Sequence, residues 1–287
     1  MATDRTDAGL AAAAAYDPKA LLDAAIAPYG ETLERMWGAE FPALRDYLAI
    51  ATAPWQRNAA VLRADLKRAP SAPTLILVGE RTADGNEWKM DDEQYFATLQ
   101  AVKLCEPATP FHVLFTGGVY GLEDAYGERP AAALAADFHE WTDHAFVRHC
   151  SVEQFSQNTG HQARIIGQIV RSVGYQRIVI CIPIEHIARF GATVAFDLAE
   201  RGIHIPFVFL GSGAWGEEIP KRHMTRAREA FGPVQKVGDP GVILASKLLG
   251  GEYEDRLATE CDPVKSKGYA CPALRPSAML EYYVAKM

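Results

Sequence analysis

Little in these 287 residues suggests a disulfide framework, a membrane span or a nucleic-acid surface. The five cysteines, Cys105, Cys150, Cys181, Cys261 and Cys271, are odd in number and far apart, and none forms the C-x-x-C pair of a structural zinc site. Cys181 sits inside an apolar run, where a thiol acts as a small hydrophobe. A reducing compartment is therefore expected. No stretch approaches the roughly 18 uninterrupted apolar residues of a spanning helix. The first residues lack the positive start and strong apolar core of an export signal. A cytoplasmic protein with no membrane partner is the expectation. No run of five basic residues occurs and the net charge is −7, opposite to the balance that phosphate-binding surfaces carry, so no nucleic-acid partner is expected. Also missing are a G-x-S-x-G nucleophile elbow, a Walker A loop and a methyltransferase-type G-x-G after the first strand.

What is present is an ordinary globular composition, 49% apolar and 23% charged. Residues 1–70 read as a helical N-terminal extension. Asp17-Pro18 and Pro54 open helices, and Trp37, Phe41, Leu44, Tyr47 and Leu48 continue the apolar spacing. Pro70-Ser71-Ala72-Pro73 marks a boundary. The extension is read as a packing appendage, with a lid or dimerisation arm as the alternative.

From residue 74 the texture changes. Apolar runs at 74–79, 111–115, 177–183 and 205–210 read as buried parallel strands, and helices are expected near 91–105, 160–173, 186–201 and 220–231. Short strands are expected near 145–150 and 234–237. Strands alternating with helices predict a doubly wound α/β domain over 71–250, with 251–287 as a C-terminal tail packed on it. Ligands of such sheets sit outside the carboxyl ends of the strands. The candidates there are Gly79-Glu80-Arg81, Thr116-Gly117-Gly118, the 151–159 segment, Glu185-His186 and Gly211-Ser212-Gly213.

Two segments carry the most chemistry. In Glu153-Gln154-Phe155-Ser156-Gln157-Asn158-Thr159, Asn158 or Thr159 can cap the following helix and present its positive end to an anion. In Glu185-His186-Ile187-Ala188-Arg189, His186 and Arg189 are spaced for one helical face, pairing a proton-transfer group with an anion binder. Glu153 is the candidate to orient His186 or a substrate amine. The hexapeptide Gly211-Ser212-Gly213-Ala214-Trp215-Gly216 spells G-x-G-x-x-G, which opens an NAD(P)-dependent oxidoreductase as an alternative. Pro220 is the better first helical residue, so the hexapeptide reads as a loop over the ligand, with Trp215 available for stacking.

Glu153, Ser156, Asn158, Thr159 and Ala163, followed by His186 and Arg189 and joined by the pair Gly117-Gly118, resemble the YdcF-like family, which includes the SanA- and ElyC-related envelope proteins. Its pattern is an acidic residue, S-x-N-T-x-E-N-A before a helix, and later a strand followed by H-x-x-R. His161 and Gln162 stand where that pattern has Glu and Asn, and no membrane anchor like that of the SanA and ElyC branches is expected. The resemblance spans roughly 74–215. It implies a Rossmann-like fold and S-adenosylmethionine as the cofactor to expect. The combined expectation is a transferase-type enzyme acting on a small molecule, with His186 and Glu153 as catalytic candidates. Gly79, Glu80, Gly117, Gly118, Ser156, Asn158, Thr159, Arg189, Gly211, Ser212 and Trp215 are the ligand-binding candidates, and no metal is invoked. A non-catalytic ligand-binding protein is the competing class, and a homo-oligomer is compatible with either.

Overall fold

Five short strands rich in β-branched and aromatic residues build the sheet: Thr74–Gly79 (β1), Phe111–Thr116 (β2), Cys150–Glu153 (β3), Arg177–Cys181 (β4) and Phe207–Phe209 (β5). They pair in the order β3-β2-β1-β4-β5, and every pairing is parallel. The computed structural model describes residues 22–23, 27, 30–79, 90, 92–117, 130–156, 158–212 and 272–283. Its helices are Gly30–Trp37 (α1), Phe41–Ala51 (α2), Trp55–Arg68 (α3), Asp92–Cys105 (α4), Pro130–Trp141 (α5), Thr159–Val173 (α6), Ile184–Glu200 (α7) and Pro276–Met279 (α8).

Alternation along β1 splits the core in two. Leu75 and Leu77 join Leu114, Ile178, Ile180, Phe207 and Phe209 beneath α2, α6 and α7, where Leu44, Ile166 and Val194 are buried. Ile76 and Val78 join Val113, Phe115 and Val179 on the opposite face, beneath α3, α4 and α5, where Leu62, Val102 and Phe138 are buried. Both faces of the sheet are therefore covered, as an all-parallel sheet requires. The fold is a Rossmann-like doubly wound α/β sheet. The chain runs outward from β1 to β2 and β3, then returns to place β4 on the other side of β1. The reversal of strand order falls between β1 and β4, whose carboxyl ends are the usual place for a ligand in such a sheet.

The Pro70–Pro73 turn is a boundary in sequence, but packing crosses it. Arg177, on β4, donates from Nε to Asp65 Oδ2 of α3 at 2.5 Å, and from its other nitrogens to Ala69 O, Ala72 O and Thr74 Oγ1. Asn58 of α3 donates to Phe209 O at 2.7 Å, and the Tyr47 hydroxyl of α2 donates to Ala188 O at 2.6 Å. The helices before residue 70 thus cover the sheet and belong to its core.

The outer edge of β5 is closed from two directions. Phe207 bridges Tyr283 and Gly211 bridges Pro54. The Tyr283 hydroxyl also reaches Asn58 Oδ1 at 3.4 Å. Tyr282 and Met279 are buried in the same core, and Ser277 donates through its N–H and hydroxyl to Glu40.

Two local expectations need correction. The short strand expected near 145–150 falls at Cys150–Glu153, and Val147–His149 forms a single 3-10 turn instead. Helix α5, which the sequence reading did not anticipate, covers β2 and β3 with Leu134 and Phe138. The helix expected at 220–231 and the strand at 234–237 lie outside the described residues.

Candidate functional site

Helix α6 begins where the chain leaves β3. Asn158 is its N-cap, with extended backbone (φ −167°, ψ 171°), and its side-chain Oδ1 accepts the His161 N–H at 2.9 Å. Gly174 ends the helix in the left-handed conformation at φ 79°. Between them Ala163, Ile166 and Val170 seat α6 on the sheet, which aims its positive end at the strand termini. Thr159, the first helical residue, is buried, and its hydroxyl accepts from Arg189 Nη1 at 3.3 Å. Arg189 comes from α7, the helix that follows β4, and is only 7% exposed. The fold therefore brings a guanidinium to the N-terminus of α6, and the two segments singled out in the sequence meet.

Glu153 is the last residue of β3, in register with Thr116 at the end of β2. Its Oε2 accepts from the Thr116 hydroxyl at 3.0 Å. Its Oε1 accepts from the N–H groups of Phe155 at 2.7 Å and Ser156 at 2.8 Å. The side chain is 5% exposed. Ser156 is fully buried, and its hydroxyl has no partner among the described residues.

At the reversal of strand order, Gln94 joins the two central strands. Its Nε2 donates to Gly79 O of β1 at 2.7 Å and to Cys181 O of β4 at 3.4 Å. Gly79 itself is packed so closely that a Cβ there would overlap the Ile182 side chain. Gly117, at the end of β2, has φ +152°, a conformation that a side chain disfavours, and its N–H donates to Glu153 O at 3.2 Å. Beyond β5, Ser212 bridges Pro183. Its N–H donates to Ile182 O at 3.1 Å, and its O accepts from the Ile184 N–H at 2.8 Å. The Ser212 hydroxyl, like that of Ser156, is fully buried without a partner among the described residues. A Cβ on Gly211 would come within 2.7 Å of Ile184 Cγ2.

His186 lies in the first turn of α7, partly exposed, with its ring 6.3 Å from that of Phe190. Both it and Arg189 are on α7, as their spacing implied. Glu80, Gly118 and Trp215 lie outside the described residues, as does the G-x-G-x-x-G segment after Ser212.

Sequence reasoning missed Gln94. A signal for Gln94 existed: it falls on the stripe Gln94, Ala97, Thr98, Ala101, Val102 and Cys105, the buried face of α4. A glutamine at the end of such a stripe marks backbone groups that need a donor. Thr116 was marked by its place at a strand end, but its partner Glu153 comes from another strand and was not foreseen. Among the described residues, no three of His, Cys, Asp and Glu are grouped to hold a metal ion, and no helix is long and apolar enough to cross a membrane. Comparison with protein-family models, curated proteins and solved structures gives no significant match.

Proposed function

We propose that the carboxyl ends of the strands bind a small molecule of adenosine type through a carboxylate or phosphate that it carries, with S-adenosylmethionine as the first ligand to try. The contact between Arg189 and Thr159 carries this reading. It joins a nearly buried guanidinium to the positive end of α6, and both favour a carboxylate or phosphate. The carboxyl ends of β1 and β4, joined by the Gln94 amide, are where a doubly wound sheet receives a ligand. The buried hydroxyls of Ser156 and Ser212 supply neutral donors at other strand ends. The resemblance to the YdcF-like family supports the choice of S-adenosylmethionine, and His186 is the group to move a proton in a transferase-type reaction.

A ligand-binding protein without turnover is the second reading. Glu153 favours it, because both carboxylate oxygens already serve protein donors.

Thermal shift and calorimetry with S-adenosylmethionine, nucleotides and sugar phosphates test the proposal. A ligand at about 100 times its Kd stabilises by about 2.7 kcal/mol. Arg189→Lys keeps the charge and loses the planar fork, so affinity should fall. If none of these ligands shifts the melting temperature, the anion site is wrong. If one binds, mass spectrometry of the incubated ligand separates turnover from binding alone.

A further inference from the structure

We infer that Glu153 is a positioning residue, not an acid or base: its carboxylate ties the Phe155 and Ser156 N–H groups to the end of β2 and so sets the approach of the chain to the N-terminus of α6. The inference rests on reading that helix end as the anion site.

A general base needs a lone pair directed at the substrate. The two Glu153 oxygens instead receive three protein donors, and the side chain is nearly buried. The identity of those donors shows what the carboxylate does. Two successive N–H groups, those of Phe155 and Ser156, converge on Oε1, which pins the first turn after β3. The Phe155 side chain stands 68% exposed within that turn, while the next residue, Ser156, is fully buried. Burial of the Phe155 side chain therefore adds little to this turn, and the two backbone bonds to Oε1 hold it. Oε2 holds the Thr116 hydroxyl, and Glu153 O holds the Gly117 N–H, so the turn is anchored to the end of β2 as well. Asn158 caps α6 two residues beyond Ser156. The carboxylate thus fixes the backbone two residues before that cap.

Glutamine separates positioning from catalysis. In Glu153→Gln the amide oxygen can keep both N–H groups. The amide nitrogen then faces Thr116, whose hydroxyl can rotate to accept. A neutral isostere should therefore serve, whereas a base would be lost.

The test uses hydrogen exchange of the 154–161 amides in the unliganded full chain, together with titration by inorganic phosphate. Wild type and Glu153→Gln should show matching protection, and phosphate affinities within about threefold of each other. Glu153→Ala should lose protection in this segment and bind phosphate about tenfold or more weakly. Should Glu153→Ala not fold, Thr116→Val removes only the hydroxyl bond to the carboxylate, and faster exchange confined to this segment is expected. Unchanged exchange in Glu153→Ala overturns the inference, as does Glu153→Gln behaving like the alanine variant. Where Glu153→Ala does not fold, unchanged exchange in Thr116→Val overturns it. If wild type binds no phosphate, the anion reading fails, and the exchange data still decide the role of Glu153.

Discussion

Arg177 and Asp65 form a buried ion pair that ties the start of β4 to the end of α3. The side chains are 1% and 4% exposed, and Nε lies 2.5 Å from Oδ2. Arg68 shares the carboxylate through Oδ1. Removing one member of such a pair leaves a charge without compensation in a dry site, which costs far more than the intact pair contributes.

Asp65→Ala should therefore lose about 3–5 kcal/mol, read from the urea midpoint. Removal of residues 1–69 takes away the same carboxylate along with α2 and α3, and should yield an insoluble or unfolded protein by circular dichroism. A soluble, folded truncation would mean that the core can close without these helices.

Gln94→Leu removes the donor that serves Gly79 O and Cys181 O. Two strand-end carbonyls then lose a buried partner, at about 1–3 kcal/mol. Ligand affinity should drop as well, because the two strand ends are no longer joined. A stability change below about 0.5 kcal/mol would show that water replaces the amide there.

Acid should weaken the fold through histidine before the carboxylates titrate. Burial lowers the His112 pKa below its ordinary 6.5, with His149 adding to the effect, and burial lowers His139 in the same direction beside His144. The unfolded chain takes up these protons first. Stability is thus full above about pH 6.5 and declines as pH falls toward the lower folded values. The urea midpoint should fall between about pH 7.5 and pH 5, and less steeply in His112→Asn. An equal fall in both proteins would assign the effect to other groups.

The described thiols should be inert in the native state. Burial pushes Cys105 and Cys150 up to about 12 and raises Cys181 as well, so little thiolate forms near neutrality. Peptide mapping after iodoacetamide at about pH 8 should find these three labelled only in denaturant. Rapid native labelling of Cys105 or Cys181 would reveal local opening of the sheet or of α4.

Much of the sheet could be read from sequence because Leu75–Val78 and Ile178–Cys181 are continuous apolar runs, buried on both faces. β3 was harder to place, since it is an edge strand in which Ser151 and Val152 stay exposed and no apolar run forms. Asn158 was legible as a cap because the signal is local. The fate of Glu153 was not, because a donor from β2 and two backbone N–H groups decide it. Similarly, Pro70–Pro73 reads as a linker only until Ala72 O is seen to accept from Thr109 and Arg177. Position along the chain does not reveal such long-range partners.

The closure of the β5 edge has a consequence for synthesis. Asn58 and Tyr283 meet there, 225 residues apart in sequence. The bridge from Tyr283 to Phe207 can form only after Tyr283 has left the ribosome, so among the described contacts this closure of β5 comes last. A chain that ends before Tyr283 lacks this bridge and has one fewer guard against pairing of the β5 edge with another chain.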